Sequence, residues 1–272
     1  MEKQMLSRTG VMWLVGVLAA GQYGGPALSA EATNSGGIQL QYEEPKYLTG
    51  AIYARGSDRE LLLFKFKRVA ARSGPTLDVL RDYTYPDGKL AAREHVVYDG
   101  NNLVLYELDE QQIGAAGTAR IRRNSVNPAK GSIEFEYTRQ PGDRPKVRTE
   151  VLLDNPLIAD MVGPFLVSHW EALRRGEKLK CRYLVVPRTE TVGFTFLRDP
   201  ESTQQDRNVL TVKMEASSPF VKALVEPLFF TMEPAPPHRV LQYVGRTTPK
   251  IQVRGKWNDL DALTVFDWQS AR

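Results

Sequence analysis

The feature that most constrains this chain is a two-residue alternation of apolar and polar side chains, broken at short intervals by turn residues. Ser132–Thr138 is the clearest case, because three apolar side chains there alternate with Glu134 and Glu136. Ala119–Arg123 repeats the pattern around Ile121. This periodicity predicts strands of an antiparallel sheet that buries one face and exposes the other.

Turn sequences separate these strands at the spacing of successive hairpins. Pro86–Gly88, Asp99–Asn102 and Gln140–Asp143 contain the Asp-Gly and Pro-Gly pairs that tight reversals require. Hairpins in direct succession predict a meander. The strands predicted on either side of the turns are Asp78–Tyr85, Lys89–Tyr98, Leu103–Leu108, Gly131–Thr138 and Lys146–Leu153.

The period changes to that of a helix after Asp154-Asn155-Pro156, which offers a cap followed by a proline. Apolar residues then recur at helical spacing from Leu157 to Leu173, and Gly176 ends the run. Gly163-Pro164 predicts a kink or two short helices. Because few of these positions are polar, we expect the helix to pack on the concave face of the sheet.

A second series of strands follows, and the patterns together predict the fold class. The fold is expected to be mainly β with a few helices (α+β), a large curved antiparallel sheet or half-barrel with a central apolar helix on its concave face. Residues 38–272 are expected to form a single β-rich domain. The later predicted elements are strands at Glu177–Pro187, Thr191–Leu197, Asn208–Ala216, Phe229–Met232, Arg239–Gly245 and Leu263–Trp268, with a short helix at Ser218–Val225.

The N-terminus carries the pattern of a secretory signal peptide over residues 1–30. Lys3 and Arg8 precede a ten-residue apolar segment, Val11–Ala20, and small residues follow up to Ala30. Ten apolar residues are too few to span a bilayer, so we expect cleavage near Ala30 and no transmembrane segment in the mature chain. Residues 31–37 are expected to be a flexible linker. The predicted location is therefore periplasmic or secreted.

The ionisable residues argue against several classes of function. Glu2, Lys3 and Arg8 leave with the signal peptide, so the formal net charge of +4 falls to +3, and the basic stretches are interleaved with acids. Nucleic acid binding is not expected. One Cys and three His, together with the absence of a known catalytic motif, predict no metal, no cofactor and no catalytic residue. Cys181 alternates with apolar neighbours and is expected to be buried.

Two charged patterns have both a structural and a functional interpretation. Glu134 and Glu136 lie about 7 Å apart on one strand, a separation found in glycosidases, but nearby Arg120 and Arg122 favour a cross-strand charge ladder. The basic row Arg174–Arg182 is either the exposed side of a strand and a helix end or a surface for anionic lipid headgroups or acidic glycans.

Several segments are apolar on both faces, which leaves two explanations for the excess of apolar surface. The sheet either encloses a cavity for an acyl chain or similar ligand, or fills a large core with its own side chains. The candidate ligand-lining residues are Phe64, Phe66, Tyr106, Phe165, Trp170, Phe194 and Phe196.

The order of signal peptide, meander, central helix and further strands resembles a known group. It is similar to the periplasmic half-barrel proteins related to the lipoprotein-localisation factors, and Asp87–Glu94 and Arg239–Gly245 are the segments most like those proteins. The resemblance covers residues 60–250 and implies a ligand carrier or envelope-associated binding protein rather than an enzyme.

Three functions are therefore carried forward from the sequence. The first is an exported, non-catalytic binding protein of the cell envelope that holds a hydrophobic or amphiphilic ligand in a half-barrel. The second is an envelope scaffold or protein-interaction module that binds a partner protein through a sheet edge or the basic row. The third is an exported hydrolase built on scattered carboxylates.

Overall fold

The structure is a computed structural model that describes residues 42–127, 130–152, 156–200, 209–223 and 225–271. The predicted signal peptide, the predicted linker and the predicted cap at Asp154-Asn155 lie outside the described residues.

The described residues form one antiparallel sheet of 14 strands that does not close on itself. The first arm of the sheet is a continuous meander of eight strands: β1 (Tyr47–Ala54), β2 (Leu62–Ser73), β3 (Thr76–Thr84), β4 (Leu90–Asp99), β5 (Asn102–Glu110), β6 (Ala115–Arg123), β7 (Gly131–Thr138) and β8 (Lys146–Leu152). The second arm has six: β9 (Leu179–Val185), β10 (Glu190–Arg198), β11 (Leu210–Ala216), β12 (Leu228–Met232), β13 (Val240–Val253) and β14 (Lys256–Asp267).

The first and last strands join the two arms. β1 pairs with β14 over Thr49–Ala54, so the sheet order runs from β8 down to β1 and then from β14 down to β9. The predicted antiparallel meander is confirmed. At its turns, Gly88, Gly100 and Gly142 adopt positive φ values of 93°, 56° and 90°, which other residues adopt only at a cost.

One face of the sheet is buried, as the alternation predicts. On β7, Ile133, Phe135 and Tyr137 are buried, whereas Glu136 on the opposite face is exposed. We call the side that carries these buried residues the buried face. Its side chains form a large core cluster that includes Leu166 of the helical segment, and a smaller second cluster around Phe64 and Phe66.

The helical segment starts later and breaks elsewhere than the sequence predicts. It forms α1 (Ala159–Ser168) and α2 (Trp170–Arg174). Leu157 is extended instead of helical because it forms a parallel bridge with Tyr183 of β9. The helix continues through Pro164 and breaks at His169, where the Ser168 hydroxyl donates to the Phe165 carbonyl and the His169 ring also lies 2.9 Å from that oxygen.

The remaining helices are short. α3 (Pro219–Lys222) lies in the β11–β12 connection, within the helix predicted at Ser218–Val225, and a single 3-10 turn occupies Val186–Arg188 between β9 and β10.

The β13–β14 hairpin is much longer than its two predicted strands. Its register shifts between Arg246 and Lys250, and that irregularity interrupts the alternation on which the prediction rests. Beyond it, the strands continue to a two-residue turn at Arg254 and Gly255, both with positive φ. The outer half of the hairpin, residues 247–259, contacts β4 and the β5–β6 connection.

Candidate functional site

Four charged residues lie on or against the buried face of the sheet. Arg68, Arg81, Glu94 and Asp160 are each at most 8% exposed. Three of them lie side by side on adjacent strands: Arg81 of β3 is directly opposite Arg68 of β2 and also directly opposite Glu94 of β4. Asp160 comes from α1. We call these four residues the buried charge cluster.

The first pair in this cluster joins α1 to the sheet. Arg68 Nε donates to Asp160 Oδ1 at 2.7 Å and Arg68 Nη2 donates to Oδ2 at 3.2 Å. The Tyr98 hydroxyl donates to the same carboxylate at 2.9 Å, and the Arg68 guanidinium also donates to the carbonyls of Tyr42 and Pro45. Both charged groups are therefore fully hydrogen-bonded, which a buried ion pair requires.

The second pair lies on β3 and β4. Arg81 Nη1 donates to Glu94 Oε2 at 2.5 Å, and Arg81 Nε lies 3.8 Å from Asp160 Oδ1, which connects the two pairs. Glu94 Oε1 accepts hydrogen bonds from the hydroxyls of Tyr83, at 3.3 Å, and Thr248. The Thr248 contact comes from the outer half of the β13–β14 hairpin.

The pKa values of Asp160 and Arg81 are shifted towards their charged forms, although both side chains are buried. Burial by itself would raise the pKa of Asp160, but the charge and hydrogen bonds of Arg68, with help from Arg81 and Tyr98, hold it below its ordinary value. Burial would likewise lower the pKa of Arg81, but the negative charge of Glu94, together with contributions from Tyr83, Asp160 and Tyr106, outweighs burial and raises it. The ion pairs of the cluster therefore stabilise the charged forms of Asp160 and Arg81 in the interior.

The hydroxyls of two tyrosines beside the cluster lack a hydrogen-bond partner in the described part of the chain. Tyr106 is only 8% exposed and Tyr183 is half-buried, yet neither hydroxyl has a hydrogen-bond partner among the residues the structure describes, and neither oxygen is fully enclosed by protein atoms. Burial and then the charge of Glu94 raise the pKa of both hydroxyls. Both tyrosines are therefore neutral and can donate to a group that enters beside the cluster.

Three neighbouring tyrosines have a hydrogen-bond partner, whereas the hydroxyl of Tyr42, like those of Tyr106 and Tyr183, has none among the described residues. Tyr83 donates to Glu94, Tyr98 donates to Asp160, and Tyr137 donates to Glu110 at 2.9 Å.

The predicted lining residues fall into two groups. Tyr106, Phe165, Trp170, Phe194 and Phe196 belong to or pack against the large core cluster, whereas Phe64 and Phe66 belong to the second one. The Phe165 and Phe196 ring centroids are 5.4 Å apart, and Trp170 stacks on His238 at 3.8 Å. Phe196 has no exposed surface in this conformation.

The predicted charge ladder is present on the opposite face of the sheet. Arg122 Nε donates to Glu134 Oε1 at 2.7 Å, and Arg120 lies directly across from Glu134. The same face holds His95, whose Nδ1 lies 2.8 Å from Glu107 and whose Nε2 lies 3.2 Å from Asp78. Because carboxylates occupy both ring nitrogens, no nitrogen of His95 is left to act on a substrate.

Three side chains of the basic row are bonded to neighbouring residues, and the other two are exposed. Arg174 and Arg175 form ion pairs with Glu171 and Glu177. Arg182 is bound to Thr191. The other members of the row, Lys178 and Lys180, are exposed.

The single thiol adds no reactive group to the site. Burial raises the pKa of Cys181 to about 12, so the sulfur stays protonated. Among the described residues, no three His, Cys, Asp or Glu side chains are grouped so that they would hold a metal ion. No helix of the described part of the chain is long and apolar enough to cross a membrane.

Sequence reasoning missed the buried charge cluster, although three of its members had a visible signal. Arg68 is in phase with Phe64 and Phe66 on β2. Arg81 is in phase with Val79 on β3, and Glu94 is in phase with Val96 on β4. A charged residue within the apolar series of a strand must find a partner inside. The sequence contains no comparable signal for Asp160.

Comparison with known proteins gives no relative: no protein-family model, no curated protein sequence and no solved structure matches this chain.

Proposed function

We propose that this chain is an exported, non-catalytic binding protein that holds a hydrophobic or amphiphilic ligand inside a curved half-barrel. The observation that carries the proposal is the pair of Tyr106 and Tyr183 hydroxyls, which have no partner in the described chain. They lie beside a charge cluster on a face that is mostly apolar. A ligand whose headgroup accepts hydrogen bonds and whose tail is apolar would match these two hydroxyl donors and the apolar side chains around them.

Contacts between the two arms support a curved sheet. A flat sheet of 14 strands would be roughly 60 Å wide. Yet Glu150 of β8 accepts from the Thr191 backbone N–H of β10 at 3.0 Å, and Lys146 donates to the Arg188 carbonyl at 2.8 Å. These contacts between opposite ends of the sheet support a sheet that curls round, with the buried face on its concave side.

Contacts of α1 support its place within the curl. Asp160 is bound to Arg68 and Tyr98 of the first arm, and the Phe165 ring packs on Phe196 of the second. The helix therefore touches both arms on the buried face. In this arrangement Phe165 and Phe194 would meet the ligand tail, with Phe196 packed behind Phe165, and Trp170, Phe64 and Phe66 would lie farther along the face.

Ligand extraction and a binding assay test the proposal together. Protein purified from its own envelope would be examined by native mass spectrometry for bound lipid, and a fluorescent fatty acid would then be titrated into the delipidated chain. We expect saturable binding that weakens roughly tenfold in the double variant Tyr106→Phe/Tyr183→Phe, since each lost hydrogen bond is worth about 0.5–1.5 kcal/mol.

A matched control lies on the other face of β1. Tyr47→Phe removes the same hydroxyl opposite Val69, which is exposed, and we expect it to leave binding unchanged. The proposal fails if no lipid co-purifies and the probe does not bind. It also fails if Tyr47→Phe weakens binding as much as the double variant does.

A protein-interaction role is a second candidate because of the edge strand β8. Val147 and Val151 on this strand are 69% and 71% exposed. Exposed apolar residues on an edge strand are typical of partner contacts. Val147→Asp/Val151→Asp should then abolish capture of an envelope partner without unfolding the chain, and charge reversal at Lys178 and Lys180 tests the basic row in the same assay.

A further inference from the structure

Three connections between strands lie at the same end of the sheet. All paired strands are antiparallel, and the strands β2, β1, β14, β13, β12 and β11 are consecutive in the sheet. The β1–β2, β13–β14 and β11–β12 connections therefore emerge at the same end of the strands. We call this end of the sheet the hairpin edge, as distinct from the edge strands β8 and β9. Arg55 of the first connection forms an ion pair with Glu226 of the third at 2.5 Å, so these two connections are in contact.

Large apolar side chains at the hairpin edge point into solvent. Leu61 in the β1–β2 connection is 55% exposed and Phe220 in the β11–β12 connection is 71% exposed. On the β13–β14 hairpin, Val253 is 49% and Trp257 is 39% exposed. Of the described connections at the opposite edge, only the one between β6 and β7 has an exposed large apolar side chain, Val126.

The hairpin tip adds positive charge to this apolar surface. Arg254 and Lys256 are exposed, and neither forms an ion pair within the described part of the chain. The nearest acid on the hairpin, Asp259, is already bound to Arg246 at 2.5 Å and Lys250 at 2.9 Å. Arg254 and Lys256 therefore place two positive charges at the tip, between Val253 and Trp257 in the sequence.

The register of the hairpin places one apolar side chain on each side of its tip. Val253 lies across from Lys256, and Trp257 lies across from Gln252. Residues of neighbouring cross-strand pairs face opposite sides of a ribbon, so Val253 and Trp257 are on different faces. A tip of this kind matches a target with an apolar interior below a negatively charged surface better than it matches a flat protein surface.

We propose that the hairpin edge docks on the surface of an anionic phospholipid bilayer, with the tip at Val253–Trp257 entering the headgroup region. Tryptophan is favoured at that depth because its ring is apolar and its N–H is polar. Arg254 and Lys256 meet lipid phosphates, and Leu61 and Phe220 add apolar contact. Binding of this type is reversible and depends on salt. The proposal does not depend on a ligand inside the sheet.

Sedimentation with vesicles of phosphatidylcholine containing phosphatidylglycerol tests the proposal. The full chain is used for every variant, so any contribution of residues 1–41 is common to all of them. We expect Arg254→Glu/Lys256→Glu to lower the partition into these vesicles at least tenfold, because each cation near an anionic surface contributes about 1 kcal/mol. Trp257→Ser should lower it several-fold, and thermal melting confirms that both variants are folded.

The chain offers matched controls at the opposite edge. Lys130→Glu reverses the charge of an exposed residue in the β6–β7 connection, and Val126→Ser removes an exposed apolar side chain from the same connection. We expect both to bind vesicles as the parent chain does. The Tyr106→Phe/Tyr183→Phe variant should also bind normally, so failure of the ligand proposal would leave this one standing.

A local fluorescence measurement decides where the chain touches the bilayer. Brominated lipid should quench the parent chain more than Trp257→Phe, because Trp257 enters the bilayer. Equal quenching, or equal loss of binding in the tip variants and the opposite-edge controls, overturns the proposal. Self-association in solution that Trp257→Ser abolishes would also overturn it and assign the edge to a second copy of the chain.

Discussion

Asp160 of α1 and Arg68 of β2 are 92 positions apart in the chain and are joined by two hydrogen bonds of 2.7 and 3.2 Å. Their side chains are only 1% and 6% exposed. This ion pair attaches the helical segment to the first arm of the sheet, and Arg81 connects it to Glu94. The position of α1 therefore depends on charges as well as on apolar packing.

Removal of one member of this pair should be strongly destabilising. Asp160→Asn leaves the Arg68 guanidinium buried without its counter-charge, and broken buried pairs typically cost about 3–5 kcal/mol. Urea unfolding followed by circular dichroism would measure the loss in the free energy of unfolding. The double variant Arg68→Met/Asp160→Leu should lose less than the sum of its single variants, since no lone charge remains.

The exposed pair Arg122–Glu134 is the matched control for that measurement. Its side chains are 68% and 39% exposed, although the 2.7 Å distance equals that of the buried pair. We expect Glu134→Gln to cost less than about 1 kcal/mol because water screens the pair. Similar losses for Asp160→Asn and Glu134→Gln would contradict the structural role of the buried charge cluster.

His95 should make stability depend on pH near neutrality. Burial lowers its pKa, but the hydrogen bonds and charges of Glu107 on β5 and Asp78 on β3 outweigh burial and raise it above 6.5. On its own strand, Arg93 is the nearest charged neighbour on that face and is held by Asp82. The proton-bound ring thus stabilises the fold below the unfolded pKa of about 6.5.

This contribution is lost as the pH rises through the folded pKa of His95. Between pH 6 and 9 the parent chain should therefore lose stability relative to His95→Gln. Titration by NMR should show a raised imidazole pKa that Glu107→Gln lowers and the more distant Glu134→Gln leaves unchanged. An imidazole pKa in Glu107→Gln equal to that of the parent would show that the carboxylate has no such effect.

The sequence predicts elements well where one local pattern determines the structure. The bounds of β7 are those predicted, because alternation and the flanking turns are both contained in the segment. Leu157 belongs to a helical repeat in sequence but forms a bridge with Tyr183. That bridge depends on a contact between distant segments, which a local pattern cannot report.

The same distinction applies to the candidate site. The aromatic residues predicted as lining are recognisable because they follow the apolar phase of their strands, as Phe194 and Phe196 do on β10. Arg68 and Glu94 follow that phase too and predict a buried partner. The partner of Arg68 is not predictable, because only the folded sheet brings Asp160 to it.

The outer half of the β13–β14 hairpin should open when a single side chain is removed. Gln112 in the β5–β6 connection accepts from the Lys250 N–H at 2.7 Å and donates to the Lys250 carbonyl at 3.0 Å. Gln112→Ala removes both bonds. Hydrogen exchange of residues 247–259 should accelerate roughly 5- to 30-fold, which corresponds to about 1–2 kcal/mol.

Gln111 provides the control for this experiment. Its exposed side chain donates only to Asp109, at 2.6 Å, and has no contact with the hairpin. Gln111→Ala should leave exchange in residues 247–259 unchanged. Equal exchange rates in the two variants would mean that Gln112 does not hold the hairpin.

Alanine should have opposite effects at Gly117 and Gly163, which tests the close approach of the two arms. A Cβ on Gly117 of β6 would lie 2.6 Å from Val186 Cγ1 in the 3-10 turn and 2.7 Å from the Glu136 carbonyl oxygen. That carbonyl belongs to the adjacent strand β7 and cannot retreat without disturbing the ladder. Gly117→Ala should therefore lower the free energy of unfolding by about 1–3 kcal/mol.

Gly163 lies inside α1, and the nearest atom to a Cβ there is Val240 Cγ2 at 3.9 Å. Gly163→Ala should raise the free energy of unfolding by about 0.8–1 kcal/mol, because alanine restricts the unfolded chain and favours the helix. Urea unfolding of both variants gives the two signs in one assay. A neutral Gly117→Ala would mean that β6 and the 3-10 turn do not pack against each other.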